Sequence, residues 1–420
     1  MKLPYYLNSI FLITFTAFST DSFSLELENI TGEIKAQYQY SSYDDSSLIS
    51  TVSDNNLYEN LIDLRLKSSA SHNKWTLTAH YQINRLSGNS VEASKQLLLT
   101  FPAHFPQANN KWFDLEHTIS EDKNSITQHN IDRLFITHNT EKSVIKFGRQ
   151  ALSWGNGIVF RPMDFFNPFS PDAIDTSYKP GTDMLYTQWL FDSGADISFL
   201  LVPRRYPVTN KLDSSESSAA GKWHYFYSQL EIDVLIAQDY SDKVLGLGIS
   251  GPIGDAIWRT DIVPVFLDGN GSKTSVVLNA EQTWQWLNKN IHGYIEYFRN
   301  GFGATKDNIT YSDLSDNLIK RITHLQVFNT SRDYLSIGAR IEHSALLNFM
   351  PLLIHNINDN STLTLLQGIY SSSQNSRIEF GLSIGIGNEG SEFSGLETAR
   401  NSGIYLQTSK QAHIRYSFYF

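Results

Sequence analysis

At 420 residues the chain is long enough for two or three soluble domains or for one large barrel, so length alone decides nothing. The absence of cysteine excludes disulfide frameworks, thiolate metal sites and cysteine nucleophiles. The formal net charge of −10, with no cluster of Lys and Arg, excludes nucleic acid as a partner, because a phosphate backbone is bound by clustered cations.

In chain order the first element is a secretory signal. Lys2, an apolar stretch over 10–18 and the small residues Ser22 and Ser24 predict a cleaved segment at 1–24 and a mature chain of 25–420. Beyond it no apolar run reaches the roughly 20 residues that a membrane helix needs. From Gly32 the pattern has period two. Ile62, Leu64 and Leu66 alternate with Asp63, Arg65 and Lys67, and Trp75, Leu77, Ala79, Tyr81 and Ile83 alternate with Thr76, Thr78, His80, Gln82 and Asn84. The same alternation returns at Leu335, Ile337, Ala339 and Ile341, and at Ile378, Phe380, Leu382, Ile384 and Ile386.

Charges on the polar face exclude a dry core, and strands of about ten residues or longer suit a tilted membrane crossing better than a soluble sandwich. Aromatic residues make up 13% of the chain, and Trp189, Trp223, Trp258, Trp284 and Trp286 fall toward strand ends, as an interfacial girdle requires. Compact turns are predicted at 192–194, 251–254, 268–272 and 329–332. Longer loops are predicted at 41–56, 86–128, 150–182, 203–220, 301–317 and 387–402. With both termini at one end the strand number is even. The expected fold is therefore an all-β transmembrane antiparallel β-barrel of about 18 strands, with 16 as the alternative. A barrel this wide needs a channel, a plug or an inward-folded loop.

The chain ends on 413–420, where Ile414, Tyr416, Phe418 and Phe420 alternate with polar residues and are expected to face lipid. This ending resembles the C-terminal signal of bacterial outer-membrane proteins. The resemblance implies that Tyr416, Phe418 and Phe420 are read by the barrel assembly machinery.

A second resemblance lies in Phe147, Gly148, Arg149 and Gln150 through Trp154, Gly155, Phe160, Pro162, Asp164, Asn167, Pro168 and Lys179 to Asp183. The segment is similar to one in large proteobacterial porins, alginate-export-type barrels and their relatives among them, and implies an export or uptake channel. Its prolines, Pro162, Pro168, Pro171 and Pro180, prevent continuation of a ladder, and it is too apolar to dangle in water. It is expected to fold into the lumen, with Arg149, Trp154, Phe160, Arg161, Asp164, Phe165, Phe166, Phe169 and Asp172 forming a constriction. The competing reading is that its aromatics only brace the wall from inside. His80, Arg340, Glu342, Arg377 and Glu379 are expected to line the lumen. The neighbours Arg259 with Asp261, Arg340 with Glu342 and Arg377 with Glu379 are expected to neutralise one another, so that neither sign dominates.

No constellation for catalysis stands out. His343 and Ser344 are adjacent, which does not place a base on its nucleophile. The run 155–157 lacks the Lys and Ser or Thr of a phosphate loop, and 268–272 lacks the bidentate Glu of a calcium loop and reads as a hairpin turn. The expected protein is a non-enzymatic pore of the outer membrane of a Gram-negative-type cell, without cofactor or metal. Its partners would be membrane lipid and lipopolysaccharide, the assembly machinery and a small solute of unknown identity. An adhesion barrel and a barrel hydrolase are the alternatives. Strands begin so soon after the signal that no plug domain is expected in front of the barrel.

Overall fold

The computed structural model describes residues 26–100, 110–166, 168–306 and 309–420; the signal segment 1–24 and Asn167 lie outside them. Wherever the sequence alternates, it forms strands: β1 Thr31–Ser42, β2 Asn56–His72, β3 Trp75–Ser87, β4 Ser125–Asn139, β5 Ser143–Gln150, β6 Thr182–Leu190, β7 Asp196–Arg205, β8 Leu212–Tyr227 and β9 Leu230–Asp239. They continue as β10 Asp242–Ile253, β11 Ala256–Phe266, β12 Ser272–Trp286, β13 Lys289–Arg299, β14 Asp333–Glu342, β15 Leu347–Asn356, β16 Thr362–Ser373, β17 Ser376–Ile386 and β18 Lys410–Tyr419. Each pairs antiparallel with its neighbour. The first and last strands also pair, from Glu33 with Tyr419 to Ser42 with Lys410. The result is a closed barrel of 18 strands, in which closure removes the open edges a flat sheet would expose.

The faces are inverted relative to a soluble protein. Ile62, Leu77, Ile136, Phe199, Ile262, Leu278, Ile295, Ile337, Leu382, Ile414, Tyr416, Phe418 and Phe420 are exposed, whereas Asp63, Arg65, Thr137, Ser198, Asp261, Asn279, Glu296, Ser336, Arg415 and Ser417 on the alternate positions are buried. An exposed apolar belt around a polar interior is what a barrel in hydrocarbon requires. Trp75, Trp189, Trp223, Trp284 and Trp286 stand exposed at the end of the barrel that carries the termini and the tight turns, and Trp258 is half-buried there. One of these turns is the two-residue Leu287–Asn288 connection, with φ of 48° and 55°, the left-handed pair that a tight hairpin needs.

Several predicted connections change. Residues 329–332 are no hairpin turn but the tail of a long loop, 300–332, that carries α2 (Asp316–Thr323); turn-forming residues signal a reversal without telling at which end of the barrel it occurs. The ladder runs through Gly251, Pro252 and Ile253, so the turn there is 254–255. The predicted loop 203–220 shrinks to 206–211, because β7 and β8 extend past the wall as a hairpin with an irregularity between Asp213 and Ser218. The predicted loop 86–128 contains α1 (Asn89–Thr100) and a short arm, Glu116–Asp122, paired onto β4. The last loop spans 387–409 and holds the short helix α3 (Glu392–Gly395). The 268–272 turn stands where expected, joining β11 to β12 with Leu267 N–H donating to the Gly271 carbonyl.

Candidate functional site

Strand β5 stops at Gln150 and β6 starts at Thr182, and the segment 151–181 between them folds into the barrel. Its base is clamped. Arg149, 1% exposed, places Nε 2.8 Å from Asp183 Oδ1 and Nη2 3.1 Å from Oδ2, a fork-to-fork pair, and Nη2 also donates to the Phe113 carbonyl at 2.5 Å. Asp183 in turn accepts the Phe113 N–H at 2.7 Å, and Gly181 N–H donates to Asp132 at 3.1 Å. Asp132 is available because β4 carries a bulge: Arg133 pairs with His80 and Ile131 with Tyr81, so the extra residue leaves Asp132 and Arg133 both buried inside.

From this base the chain crosses to the far wall. Inside a lumen it has no ladder partner, and its buried N–H groups must find acceptors. Wall carboxylates supply them. Asp261 of β11 accepts the Asn156 backbone N–H at 2.8 Å and its side-chain amide at 2.9 Å. Glu296 of β13 accepts three successive backbone N–H groups, from Ile158 at 2.6 Å, Val159 at 3.0 Å and Phe160 at 2.8 Å, and the Asn279 amide at 3.2 Å. The curl that aims three amides at one carboxylate needs Gly157, where a Cβ would sit 1.6 Å from the Phe160 carbonyl oxygen. Phe160 then stacks on Phe298, centroids 4.4 Å apart.

Behind this crossing, Trp154, Met163, Phe165 and Phe166 pack against Met184, Leu200, Val202, Leu235, Val244, Val263 and Val265 of β6 to β11, filling that side of the lumen. Lys179 ties the two limbs of the loop together, with Nζ 2.5 Å from Asp164 Oδ2, 2.5 Å from the Leu152 carbonyl and 3.0 Å from Ser153 Oγ. Burial pushes the Asp164 carboxyl up and the Lys179 ammonium down, against their mutual attraction.

The return limb follows the opposite wall. Asp175 lies 2.6 Å from Lys35 Nζ of β1 and 3.3 Å from Arg415 Nη1 of β18. Burial pushes its carboxyl up, but Lys35, Ser177 and Arg415 outweigh that and hold it well below the usual carboxylate range. Tyr178 sits under the guanidinium of Arg65 at 3.5 Å and beside that of Arg133 at 4.6 Å, with its hydroxyl on His80 Nδ1.

The predicted constriction residues therefore divide. Arg149, Trp154, Phe160, Asp164, Phe165 and Phe166 are buried in anchoring and packing, Phe169 is half-buried, and Arg161 and Asp172 are exposed. A cavity of about 70 Å³ between loop and wall is lined by Phe160, Arg161, Phe165, Phe169 and Phe298 among others. Of the predicted lining pairs, Arg377 meets Glu379 at 2.6 Å. The other two do not pair. Arg259 turns across the ladder to Glu281 at 2.5 Å, while Asp261 serves the loop. Arg340 Nε donates to Asn348 at 3.4 Å, and Glu342 accepts from Asn290 at 2.9 Å. Residues two apart share a face, but side chains on the neighbouring strand are within reach too, directly opposite as Asn290 is to Glu342 or diagonal as Glu281 is to Arg259.

Sequence reasoning missed Asp132, Asp175, Tyr178, Asp183, Glu296 and the anchoring role of Lys179. The available signal was their setting: Asp132, Asp183 and Glu296 lie in strands whose interior faces a proline-rich segment with many unpaired amides. The loops above close the same side. Arg321 of α2 binds Asp242 at 2.6 Å, Gln326 binds Asp239 at 2.7 Å, and His324 stacks on Tyr240 with centroids 3.9 Å apart. Burial, reinforced by Lys320, pushes His324 down to about 4. Among the described residues no group of three or more His or acidic side chains is arranged to hold a metal ion.

No protein-family model and no curated protein matches the sequence. The fold is similar to that of Pseudomonas aeruginosa OccK7 (OpdD), 11% identical, covering 93% of this chain and 98% of that one with a TM-score of 0.51. It is similar also to Acinetobacter baumannii OccAB4, 9% identical over 93% and 97% with a TM-score of 0.53, and to a BenF-like porin from Pseudomonas fluorescens Pf-5, 9% identical over 93% and 98% with a TM-score of 0.51. At such identities the likeness is one of fold, a closed 18-stranded barrel of porin type.

Proposed function

We propose that the protein is an outer-membrane pore through which a small polar or amphipathic solute diffuses passively, with 151–181 as its constriction. The observation that carries this reading is the loop itself, bonded by Asp132, Asp261 and Glu296 into the lumen of a barrel with an apolar exterior and a charged interior. A solute passing the loop meets its exposed charges, Arg161 and Asp172, and Phe169. Short turns and termini then face the periplasm and the long loops the outside. Similarity in fold to a BenF-like porin supports the reading, and so does the resemblance of 147–183 to export- and uptake-type barrels. In the same reading 1–24 is the cleaved signal and Tyr416, Phe418 and Phe420 form the assembly signal.

The test is single-channel conductance of the refolded protein in a planar bilayer, wild type against a deletion of 160–171. The expected result is a steady current that rises on deletion. Electrical silence of both proteins, each shown to be folded, would overturn the pore.

A further inference from the structure

We infer that Asp175 is a built-in counter-ion that sets the charge selectivity of the lumen, occupying a cationic site that would otherwise take a mobile anion. The inference rests on the pore reading for its meaning but on separate observations for its support.

The wall from β17 through β18 and β1 to β4 presents six cations to the interior: Arg377, Arg415, Lys35, Arg65, Lys67 and Arg133. Its own acids are Glu33, Glu59, Asp63, Asp132 and Glu379, five against six cations, which leaves one positive charge in excess on the wall. Most are spoken for within the wall: Arg65 approaches Glu33 at 3.4 Å and Asp132 at 3.2 Å, Arg133 approaches Asp132 at 2.5 Å, and Arg415 Nη2 binds Glu379. Lys35 is different. Its nearest wall carboxylate, Glu33, is 3.8 Å away, whereas Asp175 from the loop is at 2.6 Å and Ser177 Oγ at 3.0 Å. Arg415, its side chain 3% exposed, turns Nη1 toward the same carboxylate at 3.3 Å, and neither Nη1 nor Nε has a hydrogen-bond partner. Two buried cations, one of them with unpartnered donors, thus converge on one carboxylate that the wall does not provide.

A buried ammonium without a close counter-charge is strongly disfavoured, and Lys35 without Asp175 has only Glu33 at 3.8 Å, so removing Asp175 leaves either a rearranged loop or a vacancy that an anion from solution fills. In a conducting lumen, a ring or patch of one sign sets which ions pass. Asp175 therefore holds the pore closer to neutrality than its wall would.

The experiment is the reversal potential of the whole refolded protein in a potassium chloride gradient. Asp175→Asn is expected to raise chloride over potassium permeability roughly twofold or more, Lys35→Met to shift it the opposite way, and the double variant to return near wild type. Ser177→Ala, which keeps the charges, is expected to leave it unchanged. Folding of each variant is checked by heat-modifiable gel migration. A conducting Asp175→Asn pore with the wild-type reversal potential would overturn the counter-ion role while leaving the pore intact. If the folded wild type is silent, the pore reading falls and calorimetric titration with sulfate decides the inference alone. Sulfate is then expected to bind Asp175→Asn at least tenfold more tightly than the wild type or the double variant, and equal binding by all three would overturn it.

Discussion

The two sides of the barrel hold the same loop by different physics. From β6 to β14 the loop is fixed by burial of Trp154, Met163, Phe165 and Phe166 and by backbone amides delivered into Asp261 and Glu296. From β17 through β1 to β4 one backbone amide, Gly181 N–H, reaches Asp132 at the loop's base, and the hold is otherwise by side-chain charge, Asp175 on Lys35 and Arg415, and by Tyr178 among Arg65 and Arg133. Backbone anchoring of this kind is insensitive to salt, whereas charge pairs near a wet lumen are screened by it. The first side acts as a fixed wall and the second as an adjustable one.

The largest expected effect strikes the fixed side. Glu296→Ala orphans three N–H groups inside the lumen, each costing about 1–3 kcal/mol, so the crossing limb should lose roughly 3–9 kcal/mol of local stability. Hydrogen exchange of the Ile158, Val159 and Phe160 amides reads this directly. Protection equal to wild type would mean that the limb is held by packing instead. Next comes Phe160→Ala, which removes the ring stacked on Phe298 and should loosen the same limb by about 3 kcal/mol, read by the same exchange, with the Asp164–Lys179 tie retained.

On the adjustable side the effects are smaller. Tyr178→Leu gives up the contacts with Arg65 and Arg133, worth about 1 kcal/mol, and should appear as faster exchange confined to 174–179 that grows with added salt. An effect that spread to 156–160 would erase the distinction between the two sides. The mildest perturbation is pH. His324 titrates at about 4 in the folded protein, below its ordinary 6.5, so the neutral form is the one that docks. Its contribution to holding α2 is complete above about 6.5 and fades as pH falls toward 4. Exchange in 316–327 should rise over that interval, and His324→Gln should flatten the profile.

Much of the fold was legible because a membrane barrel writes its two environments into alternate residues. The period-two pattern located the walls, and the expected strand number near 18 matches the closed sheet. Connections were read less well where one signal serves two purposes. Asn329 to Arg332 has the composition of a hairpin turn yet closes a long loop, and the β7 and β8 hairpin extends where polar residues suggested a loop. At the candidate site the inward path of 151–181 was foreseeable from prolines that forbid a ladder and aromatics that avoid water. Its attachment points were not. Asp261 looks in sequence like a partner of Arg259, but it faces the loop amide of Asn156, 105 positions away.

By itself, then, the sequence determined which residues turn outward to lipid, which turn inward, that the sheet closes, and that the 151–181 segment must leave the ladder. These follow from local chemistry repeated at a fixed spacing. Only the tertiary structure decided which inward charge meets which. Closure brings β18 beside β1, so that Lys35 and Arg415 share Asp175, and it sets Glu296 opposite the tip of a loop that starts far across the barrel. Hydrogen bonds and ion pairs act over a few ångströms, and in a closed sheet that proximity is fixed by the circumference of the wall rather than by distance along the chain.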